Sequence, residues 1–272
     1  MNVFGLPNTA MGLIAGFTGR ALAEGLSAEN IRTDFINLSR GRTRINVKIQ
    51  AGTETEINSA GPGIAPGEFD SLLAKLRNLS SSDTLILSGT APASMSDAMY
   101  GDLLGAIAYS GCRFIADVSG KALHMVLKYK PFLIKPNQKE LLDFANKPYT
   151  NDGSEIKSAA EETMIKGAQN VLVSLGDKGA LLVNRSGCMT LPAPKGEVIS
   201  SVGCGDAFLA GFVFALHTKN RKTIQLDTEA DRTDIAEVLR MAIAAGSAKA
   251  FTGPGKSPSL YEIQKLADKI ID

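Results

Sequence analysis

The chain has little that would tie it to an oxidising compartment, a metal cluster, nucleic acid or a membrane. Its three cysteines, Cys112, Cys188 and Cys204, are widely spaced along 272 residues. That excludes a disulfide framework and a zinc-ligand pattern, and points to a reducing cytoplasm. Two histidines, His124 and His217, are too few for a His-rich metal site. Basic and acidic residues balance to a net charge of +1, so no long-range field favours nucleic acid or a lipid surface. The apolar run 9–17 is too short to span a bilayer and has no basic leader. The expectation is a soluble, cytoplasmic protein.

What is present is ordinary globular material. Hydrophobic residues make up 44% and charged residues 21%, enough for one large core. The most informative stretch is Ser200-Ser201-Val202-Gly203-Cys204-Gly205-Asp206-Ala207-Phe208. Glu197-Val198-Ile199 before it reads as a short strand, and 208–216 after it as a buried helix. Glycines at 203 and 205 allow a sharp turn and a close approach to a ligand. The free N–H groups of the helix start form an anion site. Asp206 would repel an anion, so it fits better as a proton acceptor for a hydroxyl attacking a phosphoryl group held there. A helix cap is the equally simple structural reading.

The rest of the chain reads as α/β. Residues 9–17 form a buried strand entering a helix near Gly19. Their glycines lack the G-x-G-x-x-G spacing of a dinucleotide site. Period-two alternation over 43–50 and 53–58, turning at Ala51-Gly52, marks a half-exposed hairpin that ends at Gly61-Pro62-Gly63. This divides the chain into a core of 1–41 and 63–272 and a β-hairpin lid of 42–62. From Pro66 onward helices alternate with apolar strands at 84–88, 112–117, 132–135 and 170–174, and a hairpin spans 180–191. Such alternation implies a mostly parallel sheet covered on both faces. Ligands then bind beyond the carboxyl ends of the strands. Ser88-Gly89, Asp117, Lys135 to Glu140, and Ser174-Leu175-Gly176 all fall there, with Asp117 read as structural. Residues 219–233 read as a polar surface loop and 235–251 as an alanine-rich helix containing Gly246-Ser247. Gly255-Lys256-Ser257 ends like a Walker A loop, but Ala250 stands where its first glycine belongs, so that reading fails.

Together these residues resemble the ribokinase-like PfkB carbohydrate kinases, and in particular their phosphosugar branch. Gly203-Cys204-Gly205-Asp206 is similar to the G-A-G-D signature with Cys for Ala, and Asn137-Gln138-Lys139-Glu140 matches N-x-x-E. The resemblance implies a three-layer αβα fold with a mostly parallel doubly wound sheet and a small β lid. It implies ATP-dependent phosphorylation of a sugar phosphate, fructose 1-phosphate first and tagatose 6-phosphate next, in the manner of 1-phosphofructokinase. Asp206 resembles the base, and the N–H groups of Gly203, Cys204 and Gly205 the anion hole. Asn137 and Glu140 resemble the magnesium pair, although Asn137 with Glu140 three residues on also fits a helix cap. Lys135 resembles the lysine near the nucleotide phosphates, Ser174 and Gly176 the nucleotide-site pair, and Gly246 and Ser247 the adenine-pocket wall. Tight packing would also explain these last four. Arg44 resembles the clasp on the substrate phosphate, against the plain reading of an exposed strand arginine. Ser88 and Gly89 are candidates for substrate binding. The resemblance also allows a monovalent cation, although 252–256 departs from the usual pattern, and a homodimer through the lid.

The departure from the family is N-terminal. Its first strand, with a substrate-binding Asp, and its G-G-x-G-x-N segment have no counterpart here. The expected consequences are sheet edges left open, lowered stability and, as an alternative function, a catalytically silent nucleotide-binding protein.

Overall fold

A computed structural model describes the backbone of residues 1–51, 53–253 and 255–271, with the side chains at 48–51, 53–56, 58 and 66 left aside. After a 3-10 turn at Asn2–Phe4 the chain enters β1 (Thr9–Ala15) and passes directly into α1 (Gly16–Ala28). The helix therefore starts at Gly16, earlier than the sequence suggests. Gly16 has φ +61°, and a Cβ there would lie 2.8 Å from the Gly41 carbonyl oxygen, so only glycine suits this corner. β2 (Arg32–Leu38), which the sequence reading missed, returns parallel to β1. β3 (Asn46–Ala51) and β4 (Thr53–Asn58) form an antiparallel hairpin with Val47 opposite Ile57. Its turn at Gly52 lies outside the described residues.

Regular alternation follows through α2 (Pro66–Arg77), β5 (Thr84–Ser88), α3 (Asp97–Ser110), β6 (Arg113–Asp117), α4 (Gly120–Leu127) and β7 (Leu133–Ile134). Next come α5 (Gln138–Phe144), α6 (Gly153–Ile165), β8 (Asn170–Ser174), β9 (Ala180–Asn184) and β10 (Gly187–Leu191). The chain ends with α7 (Cys204–Thr218), α8 (Glu229–Ala250) and α9 (Leu260–Ala267). Boundaries follow local chemistry. The Ser96 hydroxyl accepts from the Met99 N–H at the start of α3, and Gly111 closes that helix in the left-handed region at φ +68°. Glu68 accepts from the N–H groups of Ala65 and Ser39 at the start of α2.

Six strands form a sheet in the order β10-β9-β8-β7-β6-β5. β5 to β8 run parallel, and β9 and β10 are antiparallel additions. Val171, Leu172 and Val173 are wholly buried, as a central strand covered on both faces must be. One apolar layer packs Leu73, Leu104, Ile107 and Leu123 against the sheet, and the other Phe208, Phe212, Leu239 and Ile263. This is the three-layer αβα arrangement.

Three expectations need correction. β1 lies apart from the six-stranded sheet: with β2 it forms a separate two-stranded parallel sheet, and a cavity of about 1010 Å³ lies between β1 and β5, so the sheet has the open edge that was expected. For that reason β1 is not a buried strand, and only Ile14 and Ala15 in it are buried. Glu197-Val198-Ile199 is not a strand either. Val198 and Ile199 are exposed, and the N–H groups of Ile199 and Ser200 both go to the Ala250 carbonyl rather than to a sheet neighbour. Finally, 219–233 is more than a surface loop. It buries Ile224 and Leu226, and α8 already begins at Glu229.

Candidate active site

Strand register sets out the site along the carboxyl edge of the sheet. Ser88 and Asp117, the last residues of β5 and β6, stand opposite each other. Lys135 follows β7, and its N–H donates to the Ala116 carbonyl at 3.2 Å. Asn137 and Ser174 are bridged in parallel, with the Ser174 N–H donating to Pro136. Ser88, Asp117, Lys135, Asn137 and Ser174 thus form one row. Gly176, with φ +62°, opens a 3-10 turn just beyond Ser174.

The centre of the row is an ion pair. Lys135 Nζ lies 3.0 Å from Asp117 Oδ1, with side-chain exposures of 6% and 17%. An ammonium is buried so deeply only when paired. Burial pushes the Asp117 carboxyl above its ordinary value; Lys135 opposes this, while Asp206 and Glu140 add to it. Three carboxylates therefore share the field around one lysine.

The start of α7 closes over this lysine. Gly203 caps the helix in the left-handed region at φ +77° and has no side chain to satisfy the first N–H groups. A Cβ on Gly205 would lie 3.3 Å from Lys135 Nζ, so the missing side chain is what lets the ammonium sit beside the first turn. Asp206 is exposed there, turned to solvent rather than into the core. The Cys204 thiol donates to the Ser200 carbonyl at 3.3 Å. Burial raises its pKa, Lys249 lowers it and Asp206 raises it. Lys249 carries no sequence signal, yet its Cε would lie 3.5 Å from a Cβ at Gly203.

Two open alternatives gain a structural side. Asn137 and Glu140 do form a cap: the Glu140 carboxylate accepts from the Asn137 N–H, and the Asn137 side chain accepts from the Glu140 N–H, both at 2.8 Å. Gly246 does serve packing, since a Cβ there would meet Phe208 Cβ at 3.1 Å and the Cys204 carbonyl oxygen at 3.3 Å. Ser247 beside it is half-buried. The oxygens of Asn137, Glu140, Asp117 and Asp206 suit a hard cation such as Mg²⁺. Among the described residues no three His, Cys, Asp or Glu groups enclose an ion, so a magnesium ion held here would keep most of its waters.

Arg44, Ser88 and Gly89 come together at the carboxyl end of the large cavity. Lys135, Asn137 and residues 203–206 do not line it. The two groups meet through the Ser88–Asp117 pair.

The model of the pfkB family of carbohydrate kinases matches residues 1–258. The chain is 35% identical over 251 residues to 1-phosphofructokinase of Borreliella burgdorferi, covering 92% of this chain and 76% of that protein. It is 35% identical over 262 residues to D-tagatose-1-phosphate kinase of Bacillus licheniformis, covering 96% and 80%. Phosphofructokinase-2 of Escherichia coli, solved in complex with fructose-6-phosphate, superposes with a TM-score of 0.82 at 27% identity, over 99% of this chain and 84% of that one. With a family match running almost end to end over this fold, the chain belongs to the pfkB family of carbohydrate kinases.

Proposed function

We propose that the protein transfers the γ-phosphoryl group of ATP to the free primary hydroxyl of fructose 1-phosphate, forming fructose 1,6-bisphosphate. One observation carries this reading: the Lys135 ammonium, held by Asp117, lies beside the glycine-capped start of α7 next to the exposed Asp206. Asp206 takes the proton of the attacking hydroxyl. The N–H groups of Gly203 and Gly205, that of Cys204 once it leaves the Ser201 carbonyl to which it donates at 3.4 Å, and the Lys135 ammonium face the charge that develops on the migrating group. Arg44 offers a two-pronged clasp for the sugar's existing phosphate, beside Ser88 and Gly89. Ser174, Gly176, Gly246 and Ser247 border the nucleotide. Magnesium, held by Asn137 and Glu140 through water, neutralises phosphate charge when bound.

Release of ADP in a coupled assay over fructose 1-phosphate, tagatose 1-phosphate and tagatose 6-phosphate tests the reading and ranks the sugars. Asp206→Asn should lower kcat by about 10²–10⁴-fold; an unchanged rate removes the base. A second reading, a nucleotide-binding protein without catalysis, is favoured by the cavity that separates β1 from β5. Calorimetry decides between them, since the silent protein binds ATP and no sugar phosphate. Phosphofructokinase-2 of Escherichia coli has been solved in complex with potassium. For this chain we propose the same ion near 252–256, of which Pro254 lies outside the described residues. Exchange of sodium for potassium should then raise the rate. We also propose a lid role and a homodimer contact for the β3–β4 hairpin, and a cytoplasmic location.

A further inference from the structure

The start of α7 meets the end of α8. Along their contact Gly211 faces Ala245, and Gly246 faces Phe208 and the Cys204 carbonyl oxygen. Three residues beyond Gly246, on the same face of α8, stands Lys249 in the last turn of that helix. Its Cε would lie 3.5 Å from a Cβ at Gly203, as Lys135 Nζ would lie 3.3 Å from one at Gly205. Two lysines therefore flank the glycine turn, Lys135 from the sheet and Lys249 from α8. At Cys204, between those glycines, burial raises the thiol pKa and the Lys249 charge opposes it.

Lys249 is half-buried, and its Nζ donates to the Lys256 carbonyl oxygen at 2.6 Å. Among the described residues no carboxylate pairs with it, whereas Asp117 neutralises Lys135. An ammonium has three donors, so two are left for a ligand. A lysine in the last turn also complements the helix dipole. Here the two roles agree, because the carbonyl end of α8 would otherwise set negative charge beside a turn that receives phosphate. Position along the turn separates the phosphates. Asp206, the base, follows Gly205 and Lys135, so the migrating group belongs at that end. Gly203 and Lys249 stand at the other end, on the side of Gly246 and Ser247, which border the nucleotide.

We propose that Lys249 is a nucleotide-binding residue that holds the β-phosphate, the one that stays behind as ADP; this rests on the ATP-dependent reading of the site. Its two remaining donors turn to the phosphate while the Lys256 carbonyl keeps the third. The contact is made before and after transfer alike, so it acts on KM more than on kcat. Lys249→Met keeps the stem against Gly203 and removes the charge. KM for ATP in the coupled assay, and Kd for ADP by calorimetry without sugar, should both rise about tenfold, with kcat lowered by less than about threefold. Affinity for adenosine, which carries no phosphate, should not change, an outcome that a merely structural role would not give. Lys249→Arg keeps the charge and should retain most of the ADP affinity. Equal ADP affinity in Lys249→Met and the wild type overturns the proposal. So does a parallel loss of adenosine binding, or a loss in Lys249→Arg as large as in Lys249→Met. A fall in kcat with KM and ADP affinity kept would put Lys249 on the migrating group, and overturns it too. A wild-type protein that binds no ADP removes the nucleotide site and this assignment with it. ADP binding that Lys249→Met leaves untouched removes the assignment alone, and the kinase reading stands.

Discussion

Lys135 and Asp117 show how much a site can depend on one pair. The ammonium is buried and its partner nearly so, and removing one member of such a pair leaves the other charge unsolvated. Asp117→Asn should lower stability by about 3 kcal/mol, raise KM for ATP and reduce kcat, and Asp117→Glu should recover part of each. A variant with normal KM and kcat but a lower melting temperature would reduce Asp117 to a structural role. Gly205→Ala tests the same point from the helix side. Its Cβ would press on Lys135 Nζ at 3.3 Å, and a flexible chain end can retreat. Stability should then hold while phosphoryl transfer falls by up to about 10²-fold, through misplacement of the ammonium. The glycines and Asp206 were legible because their types and spacing form a local motif. Asp117 was not, because a lone acid at a strand end looks structural until the neighbouring strand brings a lysine to it.

At the scale of elements, α7 and α8 form a close-packed pair whose contact requires glycine. A Cβ on Gly211 would come within 2.7 Å of the Met241 carbonyl oxygen and 2.8 Å of Ala245 Cβ. Gly211→Ala should therefore cost about 1–3 kcal/mol, seen as a lower denaturant midpoint. Relief of strain with no loss of stability would contradict this packing. Asn137→Ala separates the two roles of that residue. Loss of the cap should cost about 1 kcal/mol, and a magnesium role adds a higher Mg²⁺ requirement in the assay. A stability loss with an unchanged Mg²⁺ titration would leave only the cap. The helices of 66–78 and 96–110 were readable from their alternation with short apolar strands. β2 was not, because its outward residues dilute the alternation, and 197–199 was misread because three β-prone residues say nothing about whether a neighbouring strand is present.

For the molecule as a whole, the divided sheet is the dominant fact. A largely apolar cavity of about 1010 Å³ should bind 1-anilinonaphthalene-8-sulfonate in the native state, with enhanced fluorescence. Absence of that signal at neutral pH would mean the gap is closed in solution. Acid sensitivity is set mainly by surface carboxylates, with the raised Asp117 acting in the opposite sense because its folded form takes a proton more readily. Backbone hydrogen bonds hold Glu68 and Glu262 below their ordinary 4.5. Side-chain hydrogen bonds, above all from Thr228 to Asp231 and from Arg221 to Asp234, hold these two below 3.8. Depressed folded-state values mean that this stabilisation is complete above the unfolded values and lost as pH falls through the folded ones. Melting temperature should stay level from pH 7 to about 5 and drop below about 4.5; a rise on acidification would refute the assignment.

The sequence by itself determined the alternation of strands and helices, the Asn137–Glu140 cap and the motif-borne residues at 137–140 and 203–206, whereas the cap of α7 proved to be Gly203 and not Asp206. All of these depend on interactions within a few positions along the chain. Tertiary structure alone decided the pairing of Asp117 with Lys135, the closure of α7 over that lysine and which strands, β1 and β5, face the open edge. Each depends on which strands lie side by side, and that is settled by burial and hydrogen bonding between segments far apart in the chain.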